Sequence, residues 1–203
     1  IKRREPIVVY GDFDADGVTS TALMVEALRR FNARVQPYIP HRIDEGYGLN
    51  SDVLKRMAKA GIRLVITVDC GIRSVQEVRD ARDAGLDVIV TDHHSLGPEL
   101  PEAVAVVNPK RVGYPEPMLA GVGVAFKVVQ ALIMAERHNA PRRERSQSAR
   151  PGHMEIADFF DLVAIGTVAD LMPLGHLENR VLLRRGLDVL NQDGDSVEVA
   201  LAR

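Results

Sequence analysis

IVVYGDFDADGVTS, residues 7–20, sets four β-branched or aromatic residues directly ahead of three aspartates at alternate positions, Asp12, Asp14 and Asp16. The apolar run Ile7-Val8-Val9-Tyr10 carries no polar alternation. That is the mark of a strand covered on both faces, as in a parallel sheet. Beyond the acidic turn, Val18, Ala22, Val25 and Leu28 recur at roughly helical spacing and predict a helix over 18–31. A strand, an acidic turn and a helix together read as the opening of a parallel crossover unit.

The same alternation continues outward from this stretch. Further β-branched runs lie at 35–39, 64–68, 88–90 and 104–107, and helical patterns at 51–60 and 74–84, with Ser51 and Ser74 where N-caps belong. The fold expected is α/β: a doubly wound, mainly parallel five-stranded sheet with helices on both faces, followed by a helical extension. After the fifth strand, helical patterns run over 120–138, 155–169 and 180–190. Residues 139–153, rich in Arg, Ser and Pro without apolar period, read as a flexible basic linker. The domain layout expected is thus a core over 1–138, the linker over 139–153, and a helical continuation of the same core over 154–203.

Composition limits what such a domain does. The 203 residues are 46% hydrophobic, enough for a packed core and against global disorder. The formal charge of −2 gives no bulk attraction to nucleic acid, so any such partner must be held by local basic groups or by metal. One cysteine, Cys70, leaves no internal disulfide framework and fits a reducing cytoplasm. No apolar run reaches the length of a membrane span and no signal peptide opens the chain, so a cytoplasmic protein is expected. The chain begins at Ile1 and stops within a helix-like pattern at 197–203, which reads as a fragment of something larger.

The placement of the acidic and histidine residues carries the chemistry. Asp12, Asp14 and Asp16 follow the first strand, Asp69 the third, and Asp92, His93 and His94 the fourth. In an open parallel sheet, ligands bind outside the carboxyl ends of the strands where strand order reverses. Three strands therefore deliver carboxylates and imidazoles to one edge, and Asp170, closing a late apolar helix, can reach it too. So many carboxylates repel one another unless cations neutralise them, and an oxygen-rich site with one or two imidazoles suits Mn²⁺ or Mg²⁺. Each piece alone has a plainer reading. Asp12 to Gly17 resembles half of a calcium loop, but the bidentate Glu that such a loop needs at its twelfth position is Leu23 here. Asp16 can cap the next helix, Asp69 can be a turn residue, and a His pair is often only a polar loop. The ordered combination of all three is what is specific.

VVYGDFDADGVTST (8–21), ITVDCGI (66–72), VTDHHS (90–95) and DLVAIGTVADLMPL (161–174) resemble the four signature motifs of the DHH phosphoesterases. PHRIDEGYGL (40–49), VVNPKR (106–111) and LAGVGVAFK (119–127) resemble one branch of that superfamily, the RecJ-like single-strand-specific exonucleases. The resemblance covers residues 7–190 except the linker. It implies a centre of two Mn²⁺ or Mg²⁺ ions, one held by Asp16, Asp69, His93 and Asp170, the other by Asp12, Asp14 and Asp69, with Asp69 bridging. Two such ions about 3.5–4 Å apart activate a water and clamp the oxygens of an in-line displacement at phosphorus. His94 is then expected to donate to the scissile phosphoryl oxygen, and Asp92 to orient an imidazole.

Arg42, in the loop after the second strand, is expected to grip substrate phosphate, with Arg180 a second candidate whose alternative is a surface helix residue. Gly121 and Gly123 are expected to permit close backbone approach. The family further implies single-stranded DNA as substrate, 5′-to-3′ exonucleolytic cleavage in DNA repair and recombination, and other DNA-repair proteins as partners. It also implies C-terminal domains of the same polypeptide, including a second substrate-binding domain, that this chain lacks. The aromatic share of 4%, with no Trp, agrees, since base-stacking platforms would lie elsewhere. Two alternatives stand beside this reading: a phosphodiesterase of short oligonucleotides or cyclic dinucleotides, and a degenerate relative without enzymatic activity, which predicts lost ligands.

Overall fold

Alternate residues of the first strand serve opposite layers of the molecule. In the computed structural model, which describes residues 1, 3–42, 46–111, 113–139 and 154–192, β1 (Ile7–Tyr10) is buried along its whole length. Ile7 and Val9 face one hydrophobic layer, Val8 and Tyr10 the other, as the two-residue period of a strand requires. β1 pairs in parallel with β2 (Val35–Tyr38) on one side and β3 (Leu64–Thr67) on the other. β4 (Asp87–Thr91) and β5 (Ala105–Val107) extend the sheet from β3. The order is β2-β1-β3-β4-β5, all parallel. The chain winds outward from β1 to β2, then crosses back to β3, so strand order reverses between β1 and β3. The doubly wound fold expected from the sequence is the one observed. The edge strands depart from the doubly buried pattern: β2 and β5 are half-buried or exposed at every residue. Pro37, which lacks an N–H, accordingly sits in an edge strand.

Two helical layers cover the sheet. α1 (Ala15–Arg30), α4 (Gly121–Asn139) and α5 (Phe160–Ala169) pack on one face around Leu23, Met24, Val122, Phe126 and Leu162. α2 (Ser51–Lys59) and α3 (Val75–Asp83) pack on the other around Leu54, Val65, Val78 and Val90. Each such fully buried aliphatic side chain contributes about 1.5–3 kcal/mol of transfer free energy. α6 (Leu177–Gln192) lies against α5 so closely that a Cβ at Gly186 would come 2.2 Å from the Phe160 carbonyl oxygen. Among the described residues, no helix is long and apolar enough to cross a membrane.

Several boundaries differ from the periodicity. α1 begins at Ala15 rather than 18, because Asp14 is its N-cap and accepts the Gly17 N–H. Asn50, not Ser51, caps α2, its side chain accepting from Asp52 and Val53. Ser74 holds the cap position of α3 without a side-chain capping bond. The pattern over 155–169 divides into a 3₁₀ turn, Ile156–Phe159, and α5. α6 starts at Leu177, three residues ahead of the expected 180. Asn139 closes α4 rather than opening a linker. The remainder of the expected linker, 140–153, and the end of the chain, 193–203, lie outside the described residues.

Candidate metal centre

All three acidic segments converge where strand order reverses. Asp12 follows β1 in a tight turn, and a Cβ on Gly17 would lie 2.6 Å from both Asp12 Cβ and its carbonyl oxygen. Only glycine permits that turn. Asp12 is 4% exposed, and its Oδ1 has no hydrogen-bond partner among the described residues. Asp14 is exposed. Asp16, in the first turn of α1, reaches across to the start of α4, where its carboxylate accepts the N–H groups of Gly121 (2.6 Å) and Val122 (2.8 Å). Those are amides that no helical carbonyl can satisfy, at the positive end of the helix dipole. Asp69 follows β3 in the left-handed backbone region at φ 62°, a conformation Asp tolerates better than most residues. A Cβ at Gly121 would fall 2.5 Å from Asp69 Oδ1, so α4 can begin there only as glycine.

Asp92, at the end of β4, is fully buried but well served. Its Oδ2 accepts the Ile72 N–H (2.9 Å), and its Oδ1 accepts the His94 N–H (2.9 Å) and lies 2.8 Å from His94 Nδ1. Burial opposes its ionisation, yet these bonds from His94 and Ile72 outweigh it and hold the carboxyl below the ordinary range. The Asp92 bond in turn raises the His94 pKa against burial. His93 behaves in the opposite way, because burial lowers its pKa despite the carboxylates around it. Its Nε2 points at Asp69 Oδ1 (3.1 Å), Asp170 Oδ2 (3.6 Å) and Asp16 Oδ2 (3.9 Å). The distance to Asp69 falls within hydrogen-bond range, yet Asp69 Oδ1 and His93 Nδ1 are both buried without a hydrogen-bond partner. With the imidazole neutral, these contacts are converging donor atoms rather than ion pairs. Burial pushes Asp16 and Asp69 above the ordinary carboxylate range, with their carboxylate neighbours adding repulsion. Asp170, capping α5 at its C-terminal end, is raised by burial as well.

Among the described residues, donor atoms gather in three sets, each within 4.8 Å: Asp16, His93 and Asp170; Asp12, Asp14 and Asp69; and Asp69, His93 and His94. An unpaired buried carboxylate is costly to desolvate. Partnerless oxygens on Asp12 and Asp69 beside a neutral imidazole are what a divalent cation would relieve. The donors are mostly carboxylate oxygen, which fits Mn²⁺ or Mg²⁺. Cys70 stays out of the set: it is fully buried, its Sγ lies 3.7 Å from the Tyr10 carbonyl oxygen, and burial pushes its thiol pKa up.

The two arginines part ways. Arg42 is exposed at the rim, its guanidinium carbon 5.1 Å from the centroid of the Phe13 ring within the acidic turn. Arg180 is not gathered into the cluster; exposed on α6, it donates to the Gly175 carbonyl oxygen (3.3 Å) ahead of its own helix. Three residues that the sequence reading quoted only within its motifs, without a role of their own, do join the site. The Tyr47 hydroxyl lies 3.2 Å from His94 Nδ1. Asn108 Nδ2 donates to the His94 carbonyl oxygen (3.0 Å), while its Oδ1 accepts the Lys110 N–H (2.8 Å). Lys110 stands close enough to pull down the Asp170 pKa. All three follow β2 or β5 at the same edge of the sheet, and that position was their available signal.

The N-terminal domain of the DHH family matches residues 6–167. The chain belongs to the DHH family. Asp92-His93-His94, at the end of β4, lies inside the match. The single-stranded-DNA-specific exonuclease RecJ of Bacillus subtilis (strain 168) is 46% identical over 195 residues, covering 95% of this chain and 22% of that protein. RecJ of Escherichia coli (strain K12) is 45% identical over 184 residues, covering 89% of this chain and 31% of that protein. A crystal structure of exonuclease RecJ bound to manganese superimposes with a TM-score of 0.77 at 35% identity, covering 98% of this DHH chain and 51% of that one. The chain thus spans less than a third of the length of these two curated relatives.

Proposed function

We propose that this chain carries the metal centre of a hydrolase that cleaves phosphodiester bonds in single-stranded DNA from an end. The observation that carries the reading is the convergence of Asp12, Asp14, Asp16, Asp69, His93 and Asp170 at the reversal of strand order, with carboxylate oxygens on Asp12 and Asp69 buried and partnerless. In this reading Asp16, His93 and Asp170 would hold one divalent ion and Asp12 and Asp14 the other, with Asp69 available to both. Mn²⁺ or Mg²⁺ bound there would supply a Lewis acid for the phosphoryl oxygens and lower the pKa of the attacking water.

The side chains supply the rest. Asp92 fixes the His94 ring through Nδ1, which leaves Nε2 to donate to a phosphoryl oxygen as negative charge develops on it. Arg42, at the rim beside Phe13, grips backbone phosphate, a task its planar guanidinium suits. Arg180, turned to Gly175, supports the loop before α6 instead. Residues 1–138 and 154–192 act as one core, since α5 packs against α1 and α4. The opposite wall of the cleft belongs to further domains of a longer polypeptide. The similarity to RecJ proteins, named single-stranded-DNA-specific exonucleases, favours DNA over other phosphodiesters.

The test is hydrolysis of end-labelled single strands, duplexes and dinucleotides by the complete protein with Mn²⁺, Mg²⁺ or a chelator. Release of mononucleotides from single strands alone, abolished by the chelator, is expected. Preference for dinucleotides would instead identify an oligonucleotide phosphodiesterase.

A further inference from the structure

Beside the metal centre lies a cavity of about 450 Å³, sharing Asp92 and His94 as its wall. Its volume falls in the range of about 300–1,000 Å³ typical of ligand pockets. Leu49 and Ile72, 7% and 1% exposed, line it with apolar surface. Tyr47 lines it too. The residue is 56% exposed, and its ring stands at 70° to the His94 ring with centroids 5.7 Å apart.

The charges here disfavour a second phosphate. Two carboxylates, Asp92 and Glu77, line the cavity against one guanidinium, Arg73, whose Nε donates to the Ser95 carbonyl oxygen (3.0 Å). What fits is an uncharged flat group with polar edges, joined to a phosphate lying against His94. We propose that this cavity is a nucleoside subsite: it receives the base and sugar flanking the scissile phosphate, with Tyr47 as its stacking surface. The inference rests on the nuclease reading above and adds a base-holding element to it. The lining offers apolar contact and an aromatic face rather than a fixed donor–acceptor pattern, so the subsite takes any base.

Ser74 supplies the probe. It lines the cavity, is half-buried, and makes no capping bond, so a larger side chain there fills the space without removing a bond from α3. The experiment compares the complete Mn²⁺-loaded protein and its Ser74→Trp variant. Substrates are single strands that are intact or carry one abasic residue at the terminal, penultimate or a remote position. For the unaltered protein, loss of a base next to the scissile phosphate should raise KM roughly tenfold or more, the order of one stacked base, whereas a remote abasic residue should not. Ser74→Trp should raise KM for the intact strand by a similar factor, and the abasic penalty should shrink in that variant because the two changes remove the same contact. An abasic penalty of equal size in both proteins, or no penalty at either flanking position, would overturn the subsite while hydrolysis itself persisted. The abasic series on the unaltered protein decides the matter even if Ser74→Trp misfolds. Absence of hydrolysis of any strand would overturn the nuclease reading and this inference with it.

Discussion

Asp16 and His93 are enclosed by the fold, with Asp170 half-buried beside them, whereas Asp12, Asp14 and Asp69 open to solvent through Asp14. In the inner set, Asp16 is 1% exposed and pinned by two α4 amides, and His93 is 5% exposed. In the outer set, Asp14 is exposed and already accepts the Gly17 N–H as the cap of α1. Asp16 and His93 have lost most of their freedom on folding, and an ion entering there has chiefly the half-buried Asp170 left to order. An ion entering the outer set must still order the exposed Asp14 carboxylate, which is tied through one oxygen only. Preorganisation therefore differs across a single centre, and the inner set is expected to load first.

Asp69 tests whether the halves share a residue. Asp69→Ala should abolish hydrolysis with the fold retained, and titration calorimetry should show both binding steps weakened. Near-normal activity at saturating Mn²⁺ would break the comparison. His94→Ala should lower turnover by roughly 10² or more while leaving both steps in place. Loss of one step would move His94 into the ligand set through the Asp69, His93 and His94 grouping. Asp16→Asn should weaken the tighter step and Asp14→Asn only the weaker, each by roughly 10–100-fold or more in affinity, since even disturbing the surroundings of a metal ligand costs that much. The reverse pattern would invert the order of loading.

Acidity sharpens the same contrast. Asp16 and Asp69 bind their protons more tightly folded than unfolded, so their protonated forms support the metal-free protein below the unfolded value of 3.8. That support is lost as pH rises toward about 8, through the raised folded values. Asp92, shifted downward, acts in the opposite sense: its stabilisation is present above the ordinary carboxylate value and is lost only as pH falls through its lowered folded value. The Tm of the chelated protein should therefore fall across this window relative to the Mn²⁺-loaded protein, and the gap should widen with pH. A constant gap would contradict the burial argument. The smallest effect belongs to Arg42: Arg42→Ala should weaken single-strand binding and reduce its salt slope by about one, without changing metal affinity. A variant indistinguishable from the parent would return Arg42 to ordinary surface charge.

The central strands and the acidic edge were legible because they depend on patterns that local sequence carries. Uninterrupted β-branched runs marked β1, β3 and β4, and carboxylates at their ends marked the site. What escaped was set by single hydrogen bonds. The start of α1 moved because Asp14 satisfies Gly17, and α2 is capped by Asn50 one residue ahead of Ser51. Tyr47, Asn108 and Lys110 carry no period, and only tertiary folding brings their loops to His94 and Asp170. Arg180 was drawn in by its charge, but α6 turns it toward Gly175.

The bonds from Gly121 and Val122 to Asp16 join residues 105 and 106 positions apart. Such distant partners meet late in folding, since closing a long loop costs entropy before any contact repays it. Asp170 lies further along the chain still. A nascent chain that has emerged only through β4 can present Asp12, Asp14 and Asp69, but lacks both the α4 amides that hold Asp16 and the carboxylate of Asp170. In the proposed centre, the inner half would thus be complete only once α4 and α5 have docked, which would tie metal competence to completion of the helical layer.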